Sequence, residues 1–184
     1  MKIAIAFIGV IFMVTSCISK STNTSATDSS VKSVKPQARS YIMYTDIEPD
    51  IDPFIEVKGI TEKDIRHLFE KMLVADQQYR DSLYNGNKNN EAFYSKKISV
   101  NDEANLIILD KIVQEFGWPE ISVFGAKAAE TSWLIVWHQR GRRHILCKYF
   151  DLMESAVARK EMNAASFNHI KVAVEQLSPD QIAY

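Results

Sequence analysis

The chain has 184 residues, of which 46% are hydrophobic and 24% are charged, and these are ordinary values for a globular protein of one domain. Its 22 basic and 23 acidic residues leave a formal net charge of −1, which excludes a basic protein that coats nucleic acid. Two cysteines exclude a scaffold held by many disulfides and a zinc site built from several cysteines.

The first residues predict an export signal. Lys2 precedes an uncharged apolar run, residues 3–14, and as a helix this run reaches about 18 Å, short of the ~30 Å hydrocarbon core of a bilayer. A short apolar run after a positive start is typical of a signal peptide. The run ends in Val14-Thr15-Ser16-Cys17, which resembles the bacterial lipobox. The alternatives are a plain secretory signal and a single N-terminal membrane helix.

The lipobox resemblance implies a lipoprotein. Residues 1–16 are then a signal peptide that is removed, and Cys17 carries fatty acyl chains such as palmitate. Two or three acyl chains anchor a protein firmly, at about 0.8 kcal/mol per buried CH₂, without spanning the membrane. Because no acidic residue occurs between Cys17 and Asp28, we expect a bacterial envelope protein that faces the periplasm.

Two segments precede the domain. Residues 17–40 are rich in Ser, Thr and Lys, and they predict a flexible linker because they offer too little apolar surface to offset the entropy of ordering. Residues 41–58 mix apolar side chains with Pro49 and Pro53, which forbid a regular helix. We expect an extended segment here that lies along the domain.

From residue 59 to 184, apolar residues recur at helical spacing and predict an all-α domain, a compact bundle of about five helices. The first helix follows a capping hydroxyl at Thr61 and ends at Asn85-Gly86. Residues 87–100 are polar and predict a loop. The second helix is predicted from Asn101 or Asp102 to Phe116.

The rest of the chain predicts three more helices. Gly117 and Pro119 stop the second helix, since one favours a positive φ and the other prevents a restart. The third helix is predicted from about residue 125 to 139, the fourth after Gly141, and the fifth after Asn163, with Pro179 closing it.

Asp76 interrupts the apolar stripe of the first helix, one turn after Met72 and one turn before Arg80. A buried carboxylate is costly unless it is paired. Arg80 lies four residues later, and we expect it to bind both carboxylate oxygens. Such a pair either fixes helix packing or holds an acid at the floor of a pocket.

His138 ends the apolar third helix beside Trp137. A histidine in this position is usually a hydrogen-bonded residue of the helix end. It becomes a candidate general base only if Asp76 or Asp102 lies within reach. Because the histidines lack metal-ligand spacing and no Gly-rich phosphate loop occurs, the sequence predicts neither a metal site nor a cofactor.

Two further features have alternative interpretations. Cys147 is predicted to be a small buried hydrophobic residue, and a reactive thiol is the alternative because basic residues surround it. The basic cluster at residues 140–144 is either solvated surface or a site for a phosphate or an acidic partner.

Several motifs resemble a family of uncharacterised bacterial domains, the domain of unknown function 6624 family. Its Asp-Gln-x-x-Arg motif is matched by residues 76–80, its Asp-x-x-Asn motif by residues 102–105 and its Gly-Trp-Pro motif by residues 117–119, and Gly125 and His138 match as well. The similarity covers residues 64–140 and brings no known activity with it. It implies a candidate binding pocket formed by Asp76, Arg80, Asn105, Trp118 and His138.

The chain also departs from the pattern of that family. Trp137 replaces the Gln before the His, Arg140 replaces the Asp after it, and Lys171-Val172 lies near the place of a C-terminal Asp-Arg pair. The end, residues 181–184, lacks the Gln-x-Tyr-Gly-Thr-Gln motif. If the polar cluster of the family is catalytic, this chain has lost about half of it, so the departures favour a function without catalysis.

Three functions follow from these observations. The first is a membrane-anchored, non-catalytic binding or interaction module of the cell envelope, without a nucleic-acid partner. The second is a hydrolase-like enzyme that uses Asp76 or Asp102 as acid or base, with His138 assisting, and it predicts that these residues and Arg80 converge on an open cleft. The third is a protective, immunity-type lipoprotein that occupies a toxin or another envelope protein.

Overall fold

The computed structural model describes residues 46–86 and 88–177, which belong to one compact unit at residues 40–184. The predicted signal peptide, Cys17 and the linker lie outside the described residues. Within the described ranges, no helix combines the length and the apolar character that crossing a bilayer requires.

The unit is all-α, as predicted, and its described part contains no strand. Five helices of 13 to 26 residues match the predicted number, and the sixth is a single four-residue turn between the second and third. A short 3₁₀ turn, Lys88–Asn90, precedes the second helix. The helices are α1 Glu62–Tyr84, α2 Glu91–Phe116, α3 Ile121–Phe124, α4 Ala126–His138, α5 Arg143–Ala158 and α6 Ala164–Gln176.

Side-chain caps and glycines set several helix ends. The Thr61 hydroxyl accepts a hydrogen bond from the backbone N–H of Asp64 at 3.2 Å and so begins α1 where the sequence predicts. Asn163 Oδ1 caps α6 by accepting from two backbone N–H groups, at 2.8 and 3.3 Å. Gly117 ends α2 with a φ of +78°, a conformation that favours glycine.

The predicted polar loop at residues 87–100 is wrong for most of its length, because α2 begins at Glu91. The early part of α2 is held by polar contacts to a distant segment, in addition to the ring contacts of Phe93 and Tyr94 with Tyr79. Lys97 Nζ lies 2.7 Å from Asp50 Oδ1 and donates to the carbonyl of Glu48 at 2.9 Å. These partners come from a distant part of the chain, so local hydrophobic periodicity does not reveal this half of the helix.

Each of the five long helices contributes fully buried side chains to one core. α1 packs against both α2 and α4, and α5 packs against α6. The largest completely buried residues include Phe69, Met72, Leu109, Ile135, Tyr149 and Ile170. The core therefore fixes the relative positions of α1, α2 and α4, which carry the candidate site.

Residues 46–57 contain no helix or strand and are bound to α2, and we call them the strap. Ile51 is buried in the core. The Asn101 side chain, which is completely buried, accepts from the backbone N–H of Asp50 at 2.9 Å. Lys111 Nζ donates to two strap carbonyls, at 2.9 and 3.0 Å. The strap thus closes the chain back onto the middle of α2.

Candidate functional site

Three helices bring four of the predicted site residues into one hydrogen-bonded group, which we call the Arg80 cluster. Asp76 and Arg80 lie on α1, Asp102 lies on α2 and His138 is the last residue of α4. The helical spacing of four residues places Asp76 and Arg80 on the same face of α1. The cluster contains two acids, one guanidinium and one imidazole.

Asp76 is almost completely buried, with 1% of its surface exposed, and its principal partner is His138. The distance from His138 Nδ1 to Asp76 Oδ1 is 2.8 Å, and Gln77 Nε2 donates to the other carboxylate oxygen. The prediction that Arg80 binds both oxygens of Asp76 is wrong. Arg80 contacts only the backbone carbonyl of residue 76, at 3.5 Å, because its long side chain extends across to α2 and α4.

Arg80 joins the other two members of the cluster. Its Nη2 donates to both oxygens of Asp102, at 2.8 and 2.7 Å, and its Nε donates to His138 Nε2 at 3.2 Å. Since arginine nitrogens only donate, Nε2 is the accepting nitrogen of the imidazole, and Nδ1 carries the proton that Asp76 accepts. His138 is therefore a neutral imidazole whose tautomer is fixed from both sides.

The surroundings of Asp102 raise the pKa of its carboxyl group. Burial raises its pKa to about 6; the Arg80 guanidinium opposes this shift, and the Asp76 carboxylate adds to it. Two acids beside one guanidinium leave the second acid only partly compensated. A carboxyl group that titrates near neutral pH is typical of functional sites, although structural networks of charged groups also produce it.

The cluster borders a groove of about 580 Å³, which we call the Arg80 groove. Arg80 and His138 line the groove, whereas Asp76 and Asp102 are not among its lining residues. The volume falls within the range of about 300–1,000 Å³ found for small-molecule sites. Most other walls are apolar or aromatic: Leu83, Tyr84, Ile98, Trp133, Leu134 and Trp137.

Besides Asp76, two more residues of the predicted pocket, Asn105 and Trp118, do not line the groove. Asn105 is completely buried one turn along α2 from Asp102, and its Nδ2 donates to the carbonyl of Met72 at 3.0 Å. Trp118 is also buried, and its ring packs edge-on against Tyr149 at 6.2 Å between centroids. Both side chains belong to the core and not to the groove surface.

Sequence reasoning missed the groove wall contributed by Trp137, whereas Arg140 belongs to the basic cluster that was one candidate binding site. Trp137 stacks on Trp133 with 6.2 Å between ring centroids, and the Arg140 guanidinium lies 5.1 Å from the centroid of the Trp137 ring. The latter distance is that of a cation–π contact. The sequence signal for this contact was the spacing of three residues between Trp137 and Arg140 at a helix end.

Another member of the basic cluster, Arg142, has structural partners. Arg142 Nη1 contacts Glu103 at 2.5 Å and donates to Gln139 Oε1 at 2.8 Å, which links the start of α5 to α2. Cys147 is half-buried and packs against the core, in agreement with its interpretation as a small hydrophobic residue.

The cluster also has a set of groups that could coordinate a metal. Asp76, Asp102 and His138 each offer one ligand atom, and these atoms lie within 4.8 Å of one another. Arg80, however, already donates hydrogen bonds to Asp102 and His138. A metal ion would have to displace the guanidinium, which supplies the positive charge that the acids require.

Comparison of the chain with protein-family models, with curated proteins and with solved structures found no significant match. The resemblance to the domain of unknown function 6624 family therefore stays a prediction from the motifs.

Proposed function

We propose that the protein is a non-catalytic ligand-binding module of the bacterial cell envelope, anchored to a membrane through an acylated Cys17 and binding its ligand in the Arg80 groove. The observation that carries this proposal is the fixation of Arg80. Three hydrogen bonds, two to Asp102 and one to His138, hold its guanidinium at the groove. A guanidinium keeps its proton at physiological pH, so it is suited to binding and not to proton transfer.

The state of His138 supports binding over catalysis. A general base must reach the proton that it abstracts through a free lone pair. The Nε2 lone pair of His138 accepts from Arg80 Nε, and Nδ1 carries the proton donated to Asp76. The imidazole thus has neither nitrogen available in this arrangement. Its two hydrogen bonds connect the buried carboxylate of Asp76 to the guanidinium of Arg80, so the acid helps to fix the position of Arg80.

A groove-filling variant tests the binding site. Isothermal titration calorimetry of the purified chain with a panel of small metabolites should identify ligands that Ile98→Trp no longer binds, because the new ring enters the groove. Leu152→Trp is the matched control, since it adds the same ring at an exposed position of α5. A panel without ligands, or ligands that bind equally well to Ile98→Trp, would contradict the proposal.

A hydrolase is the second candidate, and the Asp76–His138 contact favours it. An acid that accepts the Nδ1 proton of a histidine is the arrangement that orients a general base in hydrolases. Such a mechanism requires Arg80 to leave Nε2. We would assay esters, amides, phosphoesters and glycosides. If hydrolysis is found, and Asp76→Asn lowers it at least about 100-fold while the exposed Asp151→Asn does not, catalysis replaces the binding proposal.

The membrane anchor has an independent test. Cys17→Ala should move the protein from the membrane fraction to the soluble fraction and abolish labelling of cells with an alkyne-tagged palmitate. Cys147→Ala is the matched control and should leave both results unchanged. Retention of Cys17→Ala in the membrane fraction would refute acyl anchoring.

A further inference from the structure

The groove offers unpaired charges of both signs, and from them, resting on the proposed binding function, we infer that its ligand is a zwitterion with an apolar side chain. Apolar amino acids and short apolar peptides form this class. The inference depends on which polar groups of the groove are already engaged and which are left for a ligand.

Asp81 and Arg140 are the groove charges without an ionic partner among the residues that the structure describes. Both are exposed, and both line the Arg80 groove. Asp81 lies on α1 directly after Arg80, whereas Arg140 follows the end of α4. Because both line the same groove, Asp81 is available to an ammonium group of a ligand and Arg140 to a carboxylate.

Incompletely used hydrogen-bond donors at the groove favour a ligand that carries hydrogen-bond acceptors. Arg80 Nη1 makes only the long 3.5 Å contact to a backbone carbonyl. Trp133 Nε1 is buried and has no hydrogen-bond partner within residues 46–86 and 88–177. Because the Trp133 nitrogen is buried, Arg80 Nη1 is the donor of these two that remains for an acceptor of the ligand.

The charge of the cluster disfavours a simple anion. The Arg80 cluster holds two acids, Asp76 and Asp102, and one guanidinium. Its excess negative charge repels a ligand that carries only a negative charge. A simple cation, in turn, leaves Arg140 without a partner. A zwitterion adds no net charge, and its side chain can lie against the stacked rings of Trp133 and Trp137.

Four compounds with the same benzyl side chain test the inference by calorimetry on the purified full chain. They are L-phenylalanine, N-acetylphenylalanine, phenylalaninamide and N-acetylphenylalaninamide, which are zwitterionic, anionic, cationic and neutral. We expect phenylalanine to bind about fivefold more tightly than the two singly capped compounds, the upper value for one exposed charge pair, and more tightly still than the doubly capped one. Phenylalanyl-glycyl-glycine, with its charges further apart, tells a free amino acid from a peptide.

Two variants assign the charges. Asp81→Asn should bind phenylalanine and N-acetylphenylalanine equally well, because the partner of the ammonium group is removed. Arg140→Gln should bind phenylalanine and phenylalaninamide equally well, because the partner of the carboxylate is removed. Asp151→Asn, at an exposed acid of α5, is the control and should leave the fivefold preference intact. Equal binding of all four compounds would overturn the zwitterion while groove binding stands. Absence of binding by all of the compounds would overturn it as well, and the wider metabolite panel then decides the binding function separately.

Discussion

The partly compensated carboxyl of Asp102 predicts an unusual dependence of stability on pH. Burial raises the pKa of this group from 3.8 to about 6, so the folded chain binds its proton more tightly than the unfolded chain. Between these pH values the folded state holds more protons, and the free energy of unfolding falls as pH rises. The contribution of Asp102 to stability is therefore fully present below about pH 4 and is lost above about pH 6.

The size of the effect follows from the two pKa values. The interval between 3.8 and about 6 corresponds to about 3 kcal/mol of unfolding free energy. Asp102→Asn keeps the shape of the side chain and removes its titration. The difference in unfolding free energy, variant minus wild type, should therefore rise by about 2–2.5 kcal/mol between pH 4 and pH 7, because a small part of the full effect is already lost at pH 4.

Urea unfolding followed by circular dichroism at several pH values measures this difference, because other titrating groups cancel in the subtraction. Glu161→Gln provides a control of opposite sign. Hydrogen bonds from Ser122 lower the pKa of Glu161, so its contribution to stability is present above the ordinary value of 4.5 and is lost as pH falls. A difference for Asp102→Asn that stays flat or falls from pH 4 to pH 7 would refute the account of the cluster.

Three further substitutions test the fold, each by urea unfolding. Met72→Ala removes a completely buried side chain and should cost about 2–5 kcal/mol, whereas Val74→Ala, at a position 61% exposed, should change stability by less than about 0.5 kcal/mol. Asn163→Ala should cost about 1 kcal/mol through the lost α6 cap, while Asn168→Ala inside the same helix should cost nothing; equal losses would contradict the cap. His138→Gln should cost about 1–3 kcal/mol, because Asp76 loses a donor that it cannot replace with water.

The long helices could be predicted because their signals are local. Thr61, Gly117 and Asn163 mark helix ends through groups next to them in the chain. The first half of α2 could not be predicted in this way, since Lys97 is held by strap residues about fifty positions away. The turn α3 has only four residues, too few to show a helical period.

The site could be predicted only in part for the same reason. Asp76 stood out because a carboxylate in an apolar stripe needs a partner, and the structure supplies one. Its partner is His138, however, and Arg80 pairs with Asp102 on another helix. Helical spacing shows which side chains share a face, but it does not show how helices cross. The groove itself depends on that crossing, so its aromatic wall at Trp137 remained hidden.

The strap determines where a force applied at residue 46 enters the helices. Any tension applied to the chain ahead of residue 46 meets the strap's side-chain bonds to α2 before it meets α1. Those bonds are the Lys97–Asp50 ion pair, the buried amide of Asn101 and the lysine at position 111. These bonds therefore apply the force to the middle of α2, which has 26 residues. The groove is therefore coupled to the strap through α2, since Lys97 and Asn101 are chain neighbours of the groove residue Ile98 and the cluster residue Asp102.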